Sequence, residues 1–399
     1  MRPAPATPVA DAIDRLVAAC SPVNETESVP LGEALKRPLA ADFRAPFDLP
    51  AADDSAMDGY AVRHAELGDA AALPVSERVT AGQMPQPLPP GHAARIFTGA
   101  TIPAGADTVV RQEDCEATDG AVLVHRNPAR GANIRPAGQD VRHGEPILAA
   151  GTRLGPAELG LLASLGVAEV RLRRRLAVGI LSTGEELVPP GSPAAPGQRH
   201  DANSALLCGL VGAWGMRARP LGIIGDDREA IGTALVEAAR SCDFLLVSGG
   251  ASVGEEDHVR GAVGANGEVS LWRVAIKPGK PLLFGQVSGT PLLGLPGNPG
   301  AALITALILG RPALFARQGA GDGLLAPIPT PAGFSAGPDS RTVYVRCRMT
   351  AGRAVPLAVQ SSGTLASATR ADGFAVIRPG TGIEPGETVG FLPGALLWG

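Results

Sequence analysis

The sequence predicts a multidomain α/β plus β protein: a central, mainly parallel α/β sheet domain, a β-rich inserted domain and a small C-terminal β-barrel. Three observations carry this expectation. At 399 residues the chain exceeds the ~250–300 at which a single core stops growing. Residues 176–310 alternate strand-like and helix-like segments, the pattern of parallel strands joined by crossover helices. Elsewhere, short β-like runs are separated by turns, in a chain with 52 glycines and 37 prolines.

Taken in order, "VADAIDRLVAAC" reads as an amphipathic helix. "LGPAELGLLASLGVAEVRL" reads as a helix and strand expected to pack with it, giving a discontinuous, elongated domain from residues 1–52 and 137–175. Between them, residues 53–136 carry "RIFTGA", "TVVRQE" and "AVLVH", the inserted β-rich domain. Residues 176–323 supply the strands "LAVGIL", "ARPLGIIG", "DFLLVS", "LWRVAI", "PLLFGQV" and "PLLGL". The helices are "SALLCGLVGAWG", "DREAIGTALVEAARSC" opened by Asp226 or Asp227, one from about Glu255, and "GAALITALIL". After the Pro/Gly linker "GDGLLAPIPTPAGFSAGP", residues 324–399 alternate as a small barrel does, in "TVYVRCRM", "FAVIRPG" and "ETVGFL".

Composition narrows the function. A net charge of -4 offers no basic field for nucleic acid, and Phe, Tyr and Trp make up only 4% of residues, too few for base-stacking platforms. The five cysteines form no CxxC and show no zinc spacing. Asp11 and Asp14 interrupt the N-terminal apolar stretch, and "AALITALILG" is about half a membrane span, so the expected location is cytoplasmic and away from membranes.

An α/β sheet of this kind binds ligands beyond the carboxyl ends of its strands. There the sequence places "STGEEL", "GDD", "SGGASVGEED", "KPGK" and "LPGNPG". Glycines let backbone N–H groups approach an anion, and a helix start points its positive end at one. Carboxylates recur on the same edge: Glu185, Glu186, Asp226, Asp227, Glu255, Glu256 and Asp257. Anion cradles beside carboxylates predict phosphate plus Mg²⁺. Taken singly, each loop has a structural reading: Thr183-x-x-Glu186 as a capping box, Asp226 or Asp227 as an N-cap, "DDSAMDGY" as an Asx turn. Five on one edge favour a site. Lysine usage agrees, since Lys36, Lys277 and Lys280 are the only lysines among 35 basic residues, and two of them flank one Pro-Gly turn. A compact ammonium suits a single phosphate oxygen where a planar guanidinium does not.

"DDSAMDGYAVR", "RIFTGATIPAGADTVVRQED", "NIRPAGQD", "ILSTGEELVPPG", "SGGASVGEEDHV", "IKPGKPLLFG" and "GLPGNPGAAL" together resemble the MoeA family of molybdopterin molybdenumtransferases, related to the gephyrin E domain. The match runs in the family's order from about Pro30 to the C-terminus. The resemblance implies a four-domain, elongated homodimer that takes adenylylated molybdopterin and molybdate, inserts molybdenum with Mg²⁺ and releases AMP. It implies contacts with the adenylyltransferase and with acceptor molybdoenzymes. By motif, the pterin-phosphate pocket uses Gly249, Gly250, Ser252, Lys277, Lys280, Pro296, Asn298 and Pro299. Glu186, Asp226 and Asp257 fall at metal and chemistry positions, and Asp58, Thr98, Asp140 and Lys277 at chemistry positions. Arg346 and Ser362 align with residues lining the dimer cleft. Two departures stand out: Arg273 replaces a lysine, and "NPGAAL" replaces the more usual "NPVSA". The competing readings are a molybdopterin adenylyltransferase, which turns over ATP without molybdate, and a gephyrin-like scaffold without turnover.

Overall fold

The computed structural model describes residues 6–68, 72–249, 258–321 and 323–398. The described chain forms two compact units, residues 1–41, 151–159 and 169–399 in one, and 42–150 with 160–168 in the other. Mixed α/β and β sheets are both present, spread over several domains.

The centre of the first unit is a six-stranded sheet. Its strands are β1 (Ala177–Thr183), β2 (Arg217–Ile224), β3 (Phe244–Ser248), β4 (Gly267–Trp272), β5 (Leu283–Val287) and β6 (Thr290–Leu295), in the order β2-β1-β3-β6-β5-β4. β2, β1, β3 and β6 are parallel neighbours, and every residue of β1, β3 and β6 is buried, as helices on both faces require. β5 runs antiparallel to β6 and β4 antiparallel to β5, so the parallel character holds for four strands and then gives way to a hairpin. Ser288 and Gly289, both at positive φ, form that two-residue turn. β4 therefore points the same way as β6, and its carboxyl end lies on the same edge.

Helices α1 (Ala202–Ala213), α2 (Arg228–Ala239) and α3 (His258–Asn266) connect these strands. A continuous helical stretch from Pro299 to Gln318, with a π turn over Ala306–Gly310, follows β6. By length and composition this stretch could cross a membrane, yet 94% of it is buried inside the protein, which is the signature of a core helix. The N-terminal helix Val9–Ala19 sets Val9, Ala12 and Leu16 into the same core as Leu307 and Phe315. Strands Thr26–Pro30 and Glu169–Arg173 pair antiparallel beside it.

The "LWRVAI" run is not one strand. β4 ends at Trp272, Arg273 takes φ 67°, and Ile276–Lys277 pairs in parallel with Thr342–Val343 of the C-terminal sheet. That sheet comprises β7 (Ile328–Pro331), β8 (Thr342–Thr350), β9 (Arg353–Pro356), β10 (Gly373–Ile377) and β11 (Thr388–Pro393), paired β9-β8-β10-β11-β7. An Ala332–Ala354 bridge brings the end of β7 to β9 and closes the ring around Ala332, Cys347, Ala375 and Phe391.

The second unit holds a six-stranded sheet ordered Thr108–Arg111, Gly59–Val62, Ala93–Ile96, Ala72–Val79, Ala121–Val124 and Cys115–Thr118. Its faces bury Ala61, Ile96 and Val109 on one side and Tyr60, Val62 and Val110 on the other.

Candidate active site

The carboxyl edge of the sheet opens into a cavity of about 530 Å³. The loops after β1, β2, β3 and β6 all reach it, and so does Pro281, between β4 and β5. Of the residues expected at the site, Glu186, Asp226, Gly249, Pro296, Asn298 and Pro299 line this one cavity.

Each is positioned by local chemistry. Gly249 follows the last residue of β3 at φ 99°, and a Cβ there would stand 2.3 Å from the Thr183 carbonyl oxygen, so only glycine lets these two strand ends close together. Its N–H donates to the Leu295 carbonyl (3.2 Å), tying β3 to β6 at the cavity floor. The capping-box reading of "STGEEL" fails because no helix follows: Leu187–Val188 is a short strand paired with Arg199–His200. Asp227, not Asp226, caps α2, accepting from the Ala230 N–H at 2.8 Å. Asp226 is left for another task. It and Glu185 brace each other, the Glu185 N–H donating to Asp226 Oδ2 (3.4 Å) and the Asp226 N–H to Glu185 Oε1 (3.3 Å).

Glu186 and Asp226 are both exposed to the cavity. Among the described residues no group of three His, Cys, Asp or Glu stands ready for a metal. Mg²⁺ keeps several waters and takes one or two carboxylates together with substrate phosphates, and Glu186 and Asp226 are, among the described residues, the two carboxylates on this cavity, besides the helix-capping Asp201, that such an ion would use. Gly250, Ser252 and Asp257 lie outside the described residues.

Sequence reasoning missed the residues that hold the floor. Asp201, 4% exposed, caps α1 by accepting from the N–H groups of Asn203 (3.1 Å) and Ser204 (3.0 Å) and from the Ser204 hydroxyl (2.5 Å). Buried Asn203 donates from Nδ2 to Ser248 Oγ (2.5 Å) and to the Gly297 carbonyl (2.8 Å), joining α1, β3 and the 296–299 loop. Its Oδ1 is buried without a partner. The available signal was "HDANS", an Asp immediately before an apolar helix.

The C-terminal sheet contributes a second layer. Buried Arg346 donates to the carbonyls of Thr364 (2.8 Å) and Ser361 (2.7 Å), holding the loop that carries Ser362. Asn298 Nδ2 donates to Ser362 Oγ at 3.4 Å. Lys277 is half exposed and pairs with Asp339 (3.1 Å), whose carboxyl is held far below the usual range, first by the Arg341 fork and then by Lys277. Lys280 is exposed, directly before the cavity-lining Pro281, and its ammonium has no partner among the described residues. Arg273 is buried.

In the other unit, Asp58 Oδ1 accepts from both the backbone N–H and the hydroxyl of Thr98 (2.8 Å each). These two bonds, the backbone one foremost, hold the Asp58 carboxyl below its ordinary range. Asp140 lines a separate hollow of about 460 Å³ with Asp54 and Arg135, themselves joined at 2.7 Å.

Residues 7–166 match the MoeA N-terminal region (domain I and II), 179–316 a probable molybdopterin binding domain, and 330–393 the MoeA C-terminal region (domain IV). The chain is 40% identical over 297 residues to the molybdopterin molybdenumtransferase of Haemophilus influenzae, covering 74% of each. The chain belongs to the MoeA family. Another MoeA-family relative, molybdopterin molybdenumtransferase 2 of Mycobacterium tuberculosis, is 38% identical over 325 residues, 78% of each chain. Among solved structures, the molybdopterin biosynthesis MoeA protein of Pyrococcus horikoshii OT3 superposes with a TM-score of 0.84 at 28% identity, covering 97% of this chain and 99% of that one.

Proposed function

We propose that this chain is a molybdopterin molybdenumtransferase acting in molybdenum cofactor biosynthesis, converting adenylylated molybdopterin and molybdate to the molybdenum cofactor with release of AMP. The observation that carries the reading is a single cavity joining a backbone cradle, Gly249 with the 296–299 loop, to the exposed carboxylates Glu186 and Asp226. Membership of a family whose relatives bear that activity in their names supports it.

A pyrophosphate and the molybdate dianion repel each other, so the site must supply positive charge and N–H donors where they meet. The start of the helix at Pro299 turns its positive end to phosphate oxygens in this cavity, and Lys280 supplies an ammonium beside them. Glu186, Asp226 and, by motif, Asp257 would hold Mg²⁺, which neutralises developing charge at the phosphoanhydride. Asn203 and Asp201 keep the cradle's loops at fixed separation. A homodimer in the cytoplasm, with Asp58, Thr98 and Asp140 taking part in the chemistry, completes the proposal.

Incubation with adenylylated molybdopterin, Mg²⁺ and molybdate should release AMP. ATP turnover without molybdate would assign the chain to adenylylation instead, and absence of both would make it a binding module.

A further inference from the structure

The opposite, amino edge of the same sheet carries a cluster of arginines that the reading above does not use. Arg175 precedes β1, Arg217 and Arg219 belong to β2, and Arg240 follows α2. They surround a concavity of about 660 Å³ whose wall also includes Arg174, Ser241, Cys242 and Asp243. Residues two apart on a strand share one face at ~6.7 Å spacing, so Arg217 and Arg219 project side by side. A Cβ on Gly179, opposite Arg219 in the register, would meet Leu245, Cys242 and Leu221, so this face of β2 lies against Cys242, just past the carboxyl end of α2.

The charges here do not balance. The carboxylates that line the hollow already have partners: Asp243 is gripped by Arg174 at 2.8 and 2.9 Å, Glu25 meets Arg174 at 3.5 Å, and Glu27 is paired with Arg37. Arg175, Arg217, Arg219 and Arg240 have no side-chain hydrogen bond or ion pair among the described residues. Arg240 does offset the negative end of α2. The other three have no such duty, and four unpaired guanidinium groups around one hollow repel one another at a cost that a bound anion removes. Guanidinium forks match phosphate oxygens bidentately.

We propose that this hollow is a second anion site, taking a small molecule that bears two or more linked phosphates. Its volume admits more than a single phosphate, and its fork donors converge from three separate segments rather than lying along a flat face, which favours a compact anion over an extended acidic chain.

The test uses the whole protein and sodium pyrophosphate at low ionic strength. Arginines are modified with phenylglyoxal with and without pyrophosphate, and the adducts are located by peptide mass spectrometry, which separates this site from the candidate active site. Protection of Arg217, Arg219 and Arg240 is expected. The double variant Arg217→Gln, Arg219→Gln should lose that protection, its affinity at this site falling about tenfold or more, while AMP release stays at the wild-type level. Should that variant fold poorly, Arg175→Gln and Arg240→Gln are read in the same way. The proposal is overturned if pyrophosphate protects none of these arginines, if protection survives in the variants, or if an acidic peptide such as oligoglutamate protects them and pyrophosphate does not.

Discussion

Gly300 explains one departure from the family pattern and gives a prediction whose size can be worked out. It is buried as the second residue of the helix starting at Pro299. A Cβ at this position would lie 2.8 Å from the Ser362 carbonyl oxygen, 2.9 Å from that of Thr364 and 3.2 Å from Arg346 Nη1. Both oxygens are backbone atoms and cannot swing aside. Arg346 pins their loop through Thr364 and Ser361, and the Ala301 N–H adds a bond to Ser362 at 3.2 Å. Gly300→Ala must therefore push the 361–364 loop outward by several tenths of an ångström. Overpacking costs ~1–3 kcal/mol, two backbone contacts under 3.0 Å put this case at ~2–3 kcal/mol, and alanine's better helix propensity returns at most ~1 kcal/mol, leaving a net loss of about 1–2 kcal/mol. Urea unfolding followed by the fluorescence of buried Trp214 measures it. AMP release should fall as well, because Ser362 and Gly363 lie against Asn298 at the cavity mouth. In an Arg346→Ala background the loop is free to yield, and the cost of Gly300→Ala should shrink. An unchanged or raised midpoint, with full turnover and no coupling to Arg346, would refute the close-approach reasoning.

Three further outcomes are expected. Lys280→Arg should lower AMP release by roughly 10²-fold, the scale of losing one placed donor to a developing anion, with no change in melting temperature; Arg273→Lys should stay within about tenfold of wild type. Thr98→Val removes one of the two bonds that depress the Asp58 pKa. The carboxyl then protonates at a higher pH, so the acidic limb of the pH–rate profile moves upward, and a carbon-13 titration of Asp58 should show the same shift. Asn203→Ala strips the donors from Ser248 Oγ and the Gly297 carbonyl and should destabilise the α/β domain by about 1–3 kcal/mol in chemical denaturation, with AMP release reduced in parallel.

The sheet was legible because burial on both faces leaves a clear mark. "LAVGIL", "DFLLVS" and "PLLGL" are continuous apolar runs bounded by polar, Gly-rich loops, and all three are buried parallel strands. The direction of β5 was not read from the alternation, although the sequence carries a signal: only Ser288-Gly289 separates β5 from β6, too little for a crossover, and two residues with glycine second fit a hairpin. "STGEEL" has the spacing of a capping box, and what cancels it is the pairing of Leu187–Val188 with a segment twelve residues on, a tertiary choice that local pattern does not contain. The Asp201–Asn203 floor was hidden for the opposite reason. Its first duty is to cap a helix, and capping residues are common enough that a second duty leaves no separate trace.

The paired lysines show where residue type informs and where it stops. Their Pro-Gly turn lies at the carboxyl edge of the sheet, where the alternation of the sequence puts it, since β4 ends and β5 begins there. What composition did not reveal is that the turn leaves the sheet. With Arg273 at φ 67° the chain departs from β4, and Ile276–Lys277 adds to the C-terminal sheet beside Thr342–Val343. The two ammonium groups thereby acquire different surroundings. Lys277 shares Asp339 with the Arg341 fork at a half-exposed position, where an ion pair contributes little to stability but fixes the direction of the side chain. Lys280 comes after the turn, next to a residue of the cavity wall, with no partner among the described residues. Of the two, Lys280 has the charge uncommitted to a carboxylate, so the phosphate-facing role that lysine's compact ammonium suggests falls more directly on it, with Lys277 anchoring the turn that presents it.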